Sequence, residues 1–146
     1  MEIKKNIRET VPFFFVSDMN KSLAFYVDKL GFNIVNQWIP QDRIMWCRLE
    51  NDGGIIMLQE HHKMETGLMK EEGKVGTGVS ISFNCEDALS LYHEFQSKGA
   101  NPTEPFVGNG MWVTNVTDPD GYKLSFQSMT DIQEETMYSD WKRKDN

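Results

Sequence analysis

Glu60-His61-His62 is the one histidine-rich spot in the chain, which holds three histidines in all. A carboxylate beside imidazoles is the material of divalent metal sites and of general acid–base chemistry. Adjacent side chains on an extended chain point to opposite sides, however, so the two histidines are poorly placed to share an ion. They read instead as exposed loop residues. His93, beside Glu94, reads as part of a solvated helical face. Cys47 and Cys85 each sit in an apolar stretch and form no CxxC, so neither a zinc ribbon nor a disulfide scaffold is available; they read as two buried thiols in a reducing compartment. No Ser-His-Asp or Cys-His arrangement is recognisable, and Gly73, Gly76 and Gly78 lack phosphate-loop spacing. Arg48 is more informative. A charge on a central strand is seldom buried alone, so it pairs with a carboxylate or meets an anionic ligand.

The chain that must position these groups has 146 residues, enough for one compact domain with a real core. Its 39% hydrophobic and 25% charged content excludes wholesale disorder. Fifteen Lys and Arg face 22 Asp and Glu, a net charge of −7 that repels a phosphate backbone. No nucleic-acid or membrane partner is expected, and neutral or cationic small molecules are the easier ligands. The apolar run Val11–Val16 contains Pro12 and is far too short to span a bilayer, and no signal-peptide pattern follows it. A cytoplasmic protein is expected.

The order of elements repeats. A β-rich stretch, Val11–Val16, precedes a helix capped by Ser17 or Asp18, with Met19, Leu23, Tyr26, Val27 and Leu30 at helical spacing and Gly31 as its stop. Strands follow at Phe32–Ile39, Arg43–Leu49 and Gly54–Gln59. The second copy runs through a strand at Gly78–Cys85 and a helix capped by Glu86 or Asp87 and ended by Gly99. Strands near Pro105–Val107, Trp112–Val116 and Tyr122–Gln127 complete it. Asp18 to Gly31 spans 13 positions and Asp87 to Gly99 spans 12, so the two helices are near equals. The expected class is α+β, with two tandem βαβββ modules at 10–60 and 78–128 joined by a linker at 61–77. In the charged tail, 129–146, Met137, Tyr138 and Trp141 form an apolar stripe for packing on the domain or a partner.

Val16-Ser-Asp18, Ser22-Leu-Ala-Phe-Tyr26 and Leu30-Gly-Phe32 resemble the first-module signature of the glyoxalase/bleomycin resistance/dioxygenase (vicinal oxygen chelate) superfamily. Asp118-Pro-Asp-Gly-Tyr-Lys-Leu124 resembles its second-module signature. The resemblance covers roughly residues 10–128. It implies two βαβββ modules whose sheets curl into an open mixed sheet, often completed across a homodimer. It does not imply one reaction, since members include lyases, dioxygenases and drug-sequestering proteins.

In the metal-dependent members, one ligand comes from each module's first strand and one from each module's last. Carried over, those positions read Val11, Met57, Ser80 and Ser125. None is a good ligand for a divalent cation, so no metal and no other cofactor is expected, and no catalytic residue is assigned. If these positions face the cleft, alternation names their neighbours. The expected ligand-binding set is Phe13, Phe15, Trp46, Arg48, Met57, Gln59, Ser80, Ser82, Asn115 and Ser125, aromatic and sulfur-rich on one wall and hydroxyl- and amide-rich on the other. Trp112 has the opposite phase and is left out. The leading reading is a metal-independent protein sequestering an aromatic or cationic compound. The competing readings are a glyoxalase-like lyase or dioxygenase with a metal displaced toward Glu60, His61 or His62, and a non-catalytic interaction module.

Overall fold

The computed structural model describes residues 6–61 and 75–144. Most of the expected linker, including His62 and Gly73, lies outside them. Module 1 comprises β1 (Phe13–Val16), α1 (Met19–Leu23) continuing as a π-helical turn (Ala24–Lys29), β2 (Asn33–Trp38), β3 (Trp46–Asn51) and β4 (Gly54–Glu60). Module 2 comprises β5 (Ser80–Asn84), α2 (Ala88–Ser97), β6 (Phe106–Gly108), β7 (Met111–Thr117) and β8 (Lys123–Met129), and α3 (Tyr138–Lys144) follows. Each module forms a four-stranded sheet, ordered β1-β4-β3-β2 and β5-β8-β7-β6, with the first strand parallel to the last. The α+β class and the tandem repeat hold.

Local chemistry sets the element ends. Asp18, not Ser17, caps α1 by accepting the Lys21 N–H, and Asp87, not Glu86, caps α2 by accepting that of Ser90. Gly31 and Gly99 stop the helices at φ +82° and +78°, in the left-handed region where glycine is unstrained.

Period-two alternation then divides each sheet. Phe14, Val16, Cys47, Leu49, Ile56 and Leu58 are buried toward Tyr26 and Leu30 of the first helix. In module 2, Leu124 and Phe126 pack toward Phe95 of α2. The two covered faces share one core. Phe14 stacks on Tyr122 at 4.1 Å between ring centroids, and Phe32 meets Phe83 edge-on at 6.1 Å. The Tyr122 hydroxyl donates to the Phe15 carbonyl (2.9 Å), and the Ser17 hydroxyl to Asp120 Oδ1 (2.6 Å). The sheets therefore meet along the β1 edge, and among the described residues no helix packs on the face of either sheet opposite its own helix.

The tail is not merely charged. Val107 N–H donates to the Thr136 carbonyl and Glu135 N–H to the Val107 carbonyl, both at 2.9 Å, covering the β6 edge. Tyr138 and Trp141 pack on Trp112, which is buried as its phase required. Met137 stays 37% exposed beside Phe106. Among the described residues no helix is long and apolar enough to cross a membrane.

Candidate ligand-binding face

Strand register arranges the helix-free face of module 1 in rows, because paired residues project to the same side. Phe15 pairs with Gln59, Gln59 with Trp46, and Trp46 with Trp38. The next row is Phe13, Met57, Arg48 and Asn36. All six residues expected here thus share one face: Phe13 is 45% exposed and the other five are half-buried. Phe13 and Phe15 lie 5.4 Å apart, and the His61 ring stands edge-on to Phe15 at 4.3 Å. Trp38, 54% exposed, belongs to the same row and was missed. Its strand is exposed at every position and carries a bulge between Ile34 and Asn36, so neither contrast nor parity marks its facing. Only the pairing to Trp46 reveals it.

Module 2 supplies the polar face. Ser82 pairs with Ser125 and Ser125 with Asn115, while Ser80 pairs with Lys123. Ser80 and Ser82 are exposed; Ser125 and Asn115 are half-buried. Gln127 Nε2 donates to Asn84 Oδ1 (2.8 Å) in the adjoining row. The ten expected residues are gathered as two sets, one on each sheet.

Arg48 meets carboxylates. Its Nη1 donates to Glu9 Oε1 (2.9 Å), and Nη2 and Nε donate to Glu50 Oε1 (3.0 and 3.1 Å). The guanidinium holds the Glu9 carboxyl below its ordinary range, and both carboxylates raise the Arg48 pKa in return. One cation between two anions leaves this edge of the aromatic face with a formal charge of −1.

Glu60 corrects the expectation of an exposed loop. It ends β4, is 4% exposed, accepts the Met19 N–H at 2.8 Å and pairs with Arg43. Its carboxylate thereby sits at the start of α1, where unpaired N–H groups attract negative charge. His93 is exposed as expected, with Nε2 2.9 Å from the Tyr138 hydroxyl. Cys47 is fully buried and Cys85 only partly, which corrects the expectation for the latter; burial raises both thiols, Cys47 to about 11.

A family model described as Glyoxalase/Bleomycin resistance protein/Dioxygenase superfamily matches residues 8–126. The chain belongs to this superfamily. It is 26% identical over 115 residues to a lactoylglutathione lyase of Haemophilus influenzae, covering 76% of this chain and 84% of that protein. Among solved structures, the bleomycin resistance determinant encoded on transposon Tn5 matches with a TM-score of 0.64 and 19% identity, over 86% of this chain and 100% of that one. TnmS3, an antibiotic binding protein from Streptomyces sp. CB03234, matches with a TM-score of 0.62 and 18% identity, over 86% and 100% of the two chains. At such identities these structures speak for the fold.

The superfamily's metal positions fit a divalent ion poorly in this chain. Val11 offers no donor, Met57 a soft thioether, and Ser80 and Ser125 neutral hydroxyls. In register, Met57 sits beside Arg48 and Ser80 beside Lys123, so two of the four positions neighbour a cationic side chain. Among the described residues no three of His, Cys, Asp and Glu are grouped to hold a metal ion.

Proposed function

We propose that the protein binds a small aromatic or cationic molecule without a metal, gripping it on the helix-free face and not transforming it. The observation that carries this reading is the concentration of Phe13, Phe15, Trp38, Trp46 and Met57 on one uncovered face, where the superfamily's ligand positions offer no strong donor set. Flat rings stack on Phe and Trp, and a positive charge is drawn to the ring faces and to the Glu9–Arg48–Glu50 edge. The hydroxyls and amides of Ser80, Ser82, Asn115 and Ser125 orient the ligand's polar groups. The likeness to a bleomycin resistance determinant and to an antibiotic binding protein supports sequestration of a drug-like compound. On this reading the protein works in the cytoplasm as a homodimer, in which a second copy walls the exposed face.

A thermal-shift screen of cationic aromatic drugs, run with and without chelator, tests the proposal. Binding to the native state raises the melting temperature. The expected hit keeps its shift in chelator and loses it in Phe13→Ala and Trp46→Ala; an identical shift in both variants overturns the assignment. The likeness to a lactoylglutathione lyase favours a second reading, a metal-dependent lyase. Lyase activity appearing on addition of Ni²⁺ or Zn²⁺, with one ion bound per subunit, would decide for it.

A further inference from the structure

The duplicated modules act as templates for one another. The α1 and α2 caps make Asp18 equivalent to Asp87, so Phe14 and Phe15 correspond to Phe83 and Asn84. The pairs Phe13↔Met57 and Ser82↔Ser125 then coincide, which makes Gly54 the counterpart of Tyr122. In module 2 the Tyr122 ring stacks on Phe14 and its hydroxyl bonds the Phe15 carbonyl at the open edge of β1. At Gly54 there is no side chain to do the same against Phe83 and Asn84. A cavity of about 570 Å³ lies there, bordered by Phe32, Phe83 and Phe95 inside and by Asn84 on the open edge of β5. That volume falls within the usual range for small-molecule sites.

Charge favours one class of occupant. Asp52, Glu86 and Asp87 line the cavity, and among the described residues no lysine, arginine or histidine does. All three acids are exposed, at the rim, whereas Phe32 and Phe95 are almost wholly buried. We propose that this slot between the modules is a second ligand site, taking an aromatic ring that carries a hydrogen-bond donor and a positive charge. The ring replaces the missing Tyr side chain, its donor reaches the β5 edge as the Tyr122 hydroxyl reaches β1, and the cation meets the acidic rim. The slot is distinct from the aromatic wall of the ligand face and shares only Ser82 with its polar wall.

Tyramine, a phenol with an ammonium group, is the probe, and 4-hydroxyphenylacetate is the control with the same ring and the opposite charge. Titrated into the full chain and followed by amide NMR, tyramine is expected to shift Gly53, Asn84, Cys85 and Ser90 saturably. The acid should bind at least about tenfold more weakly, given three carboxylates at the rim. Trp46→Ala should leave the shifts at Gly53, Asn84, Cys85 and Ser90 unchanged, whereas Gly54→Tyr should abolish those shifts by filling the slot. Gly54 has no positive φ, and an added Cβ would lie 3.1 Å from the Phe83 ring and 3.2 Å from the Asn51 carbonyl oxygen, so both must yield slightly. Should this variant misfold, Asp52→Asn combined with Glu86→Gln keeps the fold and should weaken tyramine about three- to tenfold. Shifts confined to Phe13, Trp46 and Gln59, or none that saturate up to the solubility of tyramine, would overturn the proposal.

Discussion

The Tyr26 hydroxyl donates to Asp118 Oδ2 at 2.8 Å, joining the helix of one module to the β7–β8 turn of the other across 92 residues of chain. Both side chains are buried, and Asp118 Oδ1 also accepts the N–H groups of Asp120 and Tyr122 at 2.9 and 2.8 Å. Removing the hydroxyl leaves a buried carboxylate oxygen short of a donor. Tyr26→Phe should therefore destabilise the chain by about 1–3 kcal/mol, seen as a lower urea midpoint. An unchanged midpoint would show that the bond contributes nothing net to joining the modules.

Burial pushes the Asp118 pKa from 3.8 up to about 6, against the lowering effect of the Tyr26, Tyr122 and Asp120 hydrogen bonds. The folded state thus holds this proton more tightly than the unfolded state. The stabilising effect of protonation is fully present below pH 3.8 and is lost as pH rises through about 6. Its upper bound is about 3 kcal/mol. Asp118→Asn should lose the matching part of the stability–pH slope between pH 4 and 7, measured by denaturant titration at each pH. Parallel curves for variant and wild type would place the titration elsewhere.

Arg48 neutralises one of the two carboxylates that flank it on the aromatic face. Arg48→Gln releases both charges of Glu9 and Glu50. A cationic aromatic ligand of that face should then bind about two- to fivefold more tightly, and an anionic one more weakly by a similar factor. Isothermal titration with a matched pair of ligands reads the effect. Equal changes for both charges would mean that Arg48 acts by packing.

Trp141 links the tail to the domain through Trp112, with ring centroids 5.5 Å apart. Trp141→Ala should cost about 1–3 kcal/mol, less than for a fully buried tryptophan because the side chain is half-exposed. Faster amide exchange at Val107 and Glu135 should accompany the loss, since the tail covers the β6 edge there. Unchanged exchange would show that the edge stays covered without the aromatic anchor.

Much of this was legible beforehand because it is local. The Asp caps, the Gly stops and strand alternation act within a few residues, so the duplicated βαβββ order follows from short-range rules. The shared face of Phe13, Phe15, Trp46, Arg48, Met57 and Gln59 also needed the superfamily resemblance to set which parity faces the cleft. Alternation likewise kept Trp112 off that face, and the structure buries it. Trp38 escaped these rules because a bulge interrupts the parity of its strand.

What only the folded chain decided are partners far apart in sequence. Glu60 looked like a loop carboxylate until the first helix start came over it, 41 residues away. Arg48 was known to need a partner, but Glu9 was 39 residues distant and carried no mark. The contrast between Tyr122, which fills its slot, and Gly54, which leaves one open, exists only once the modules are docked. Periodicity records which side of an element faces inward. It carries no record of what waits there, because packing between distant segments depends on the shape and charge of both surfaces together.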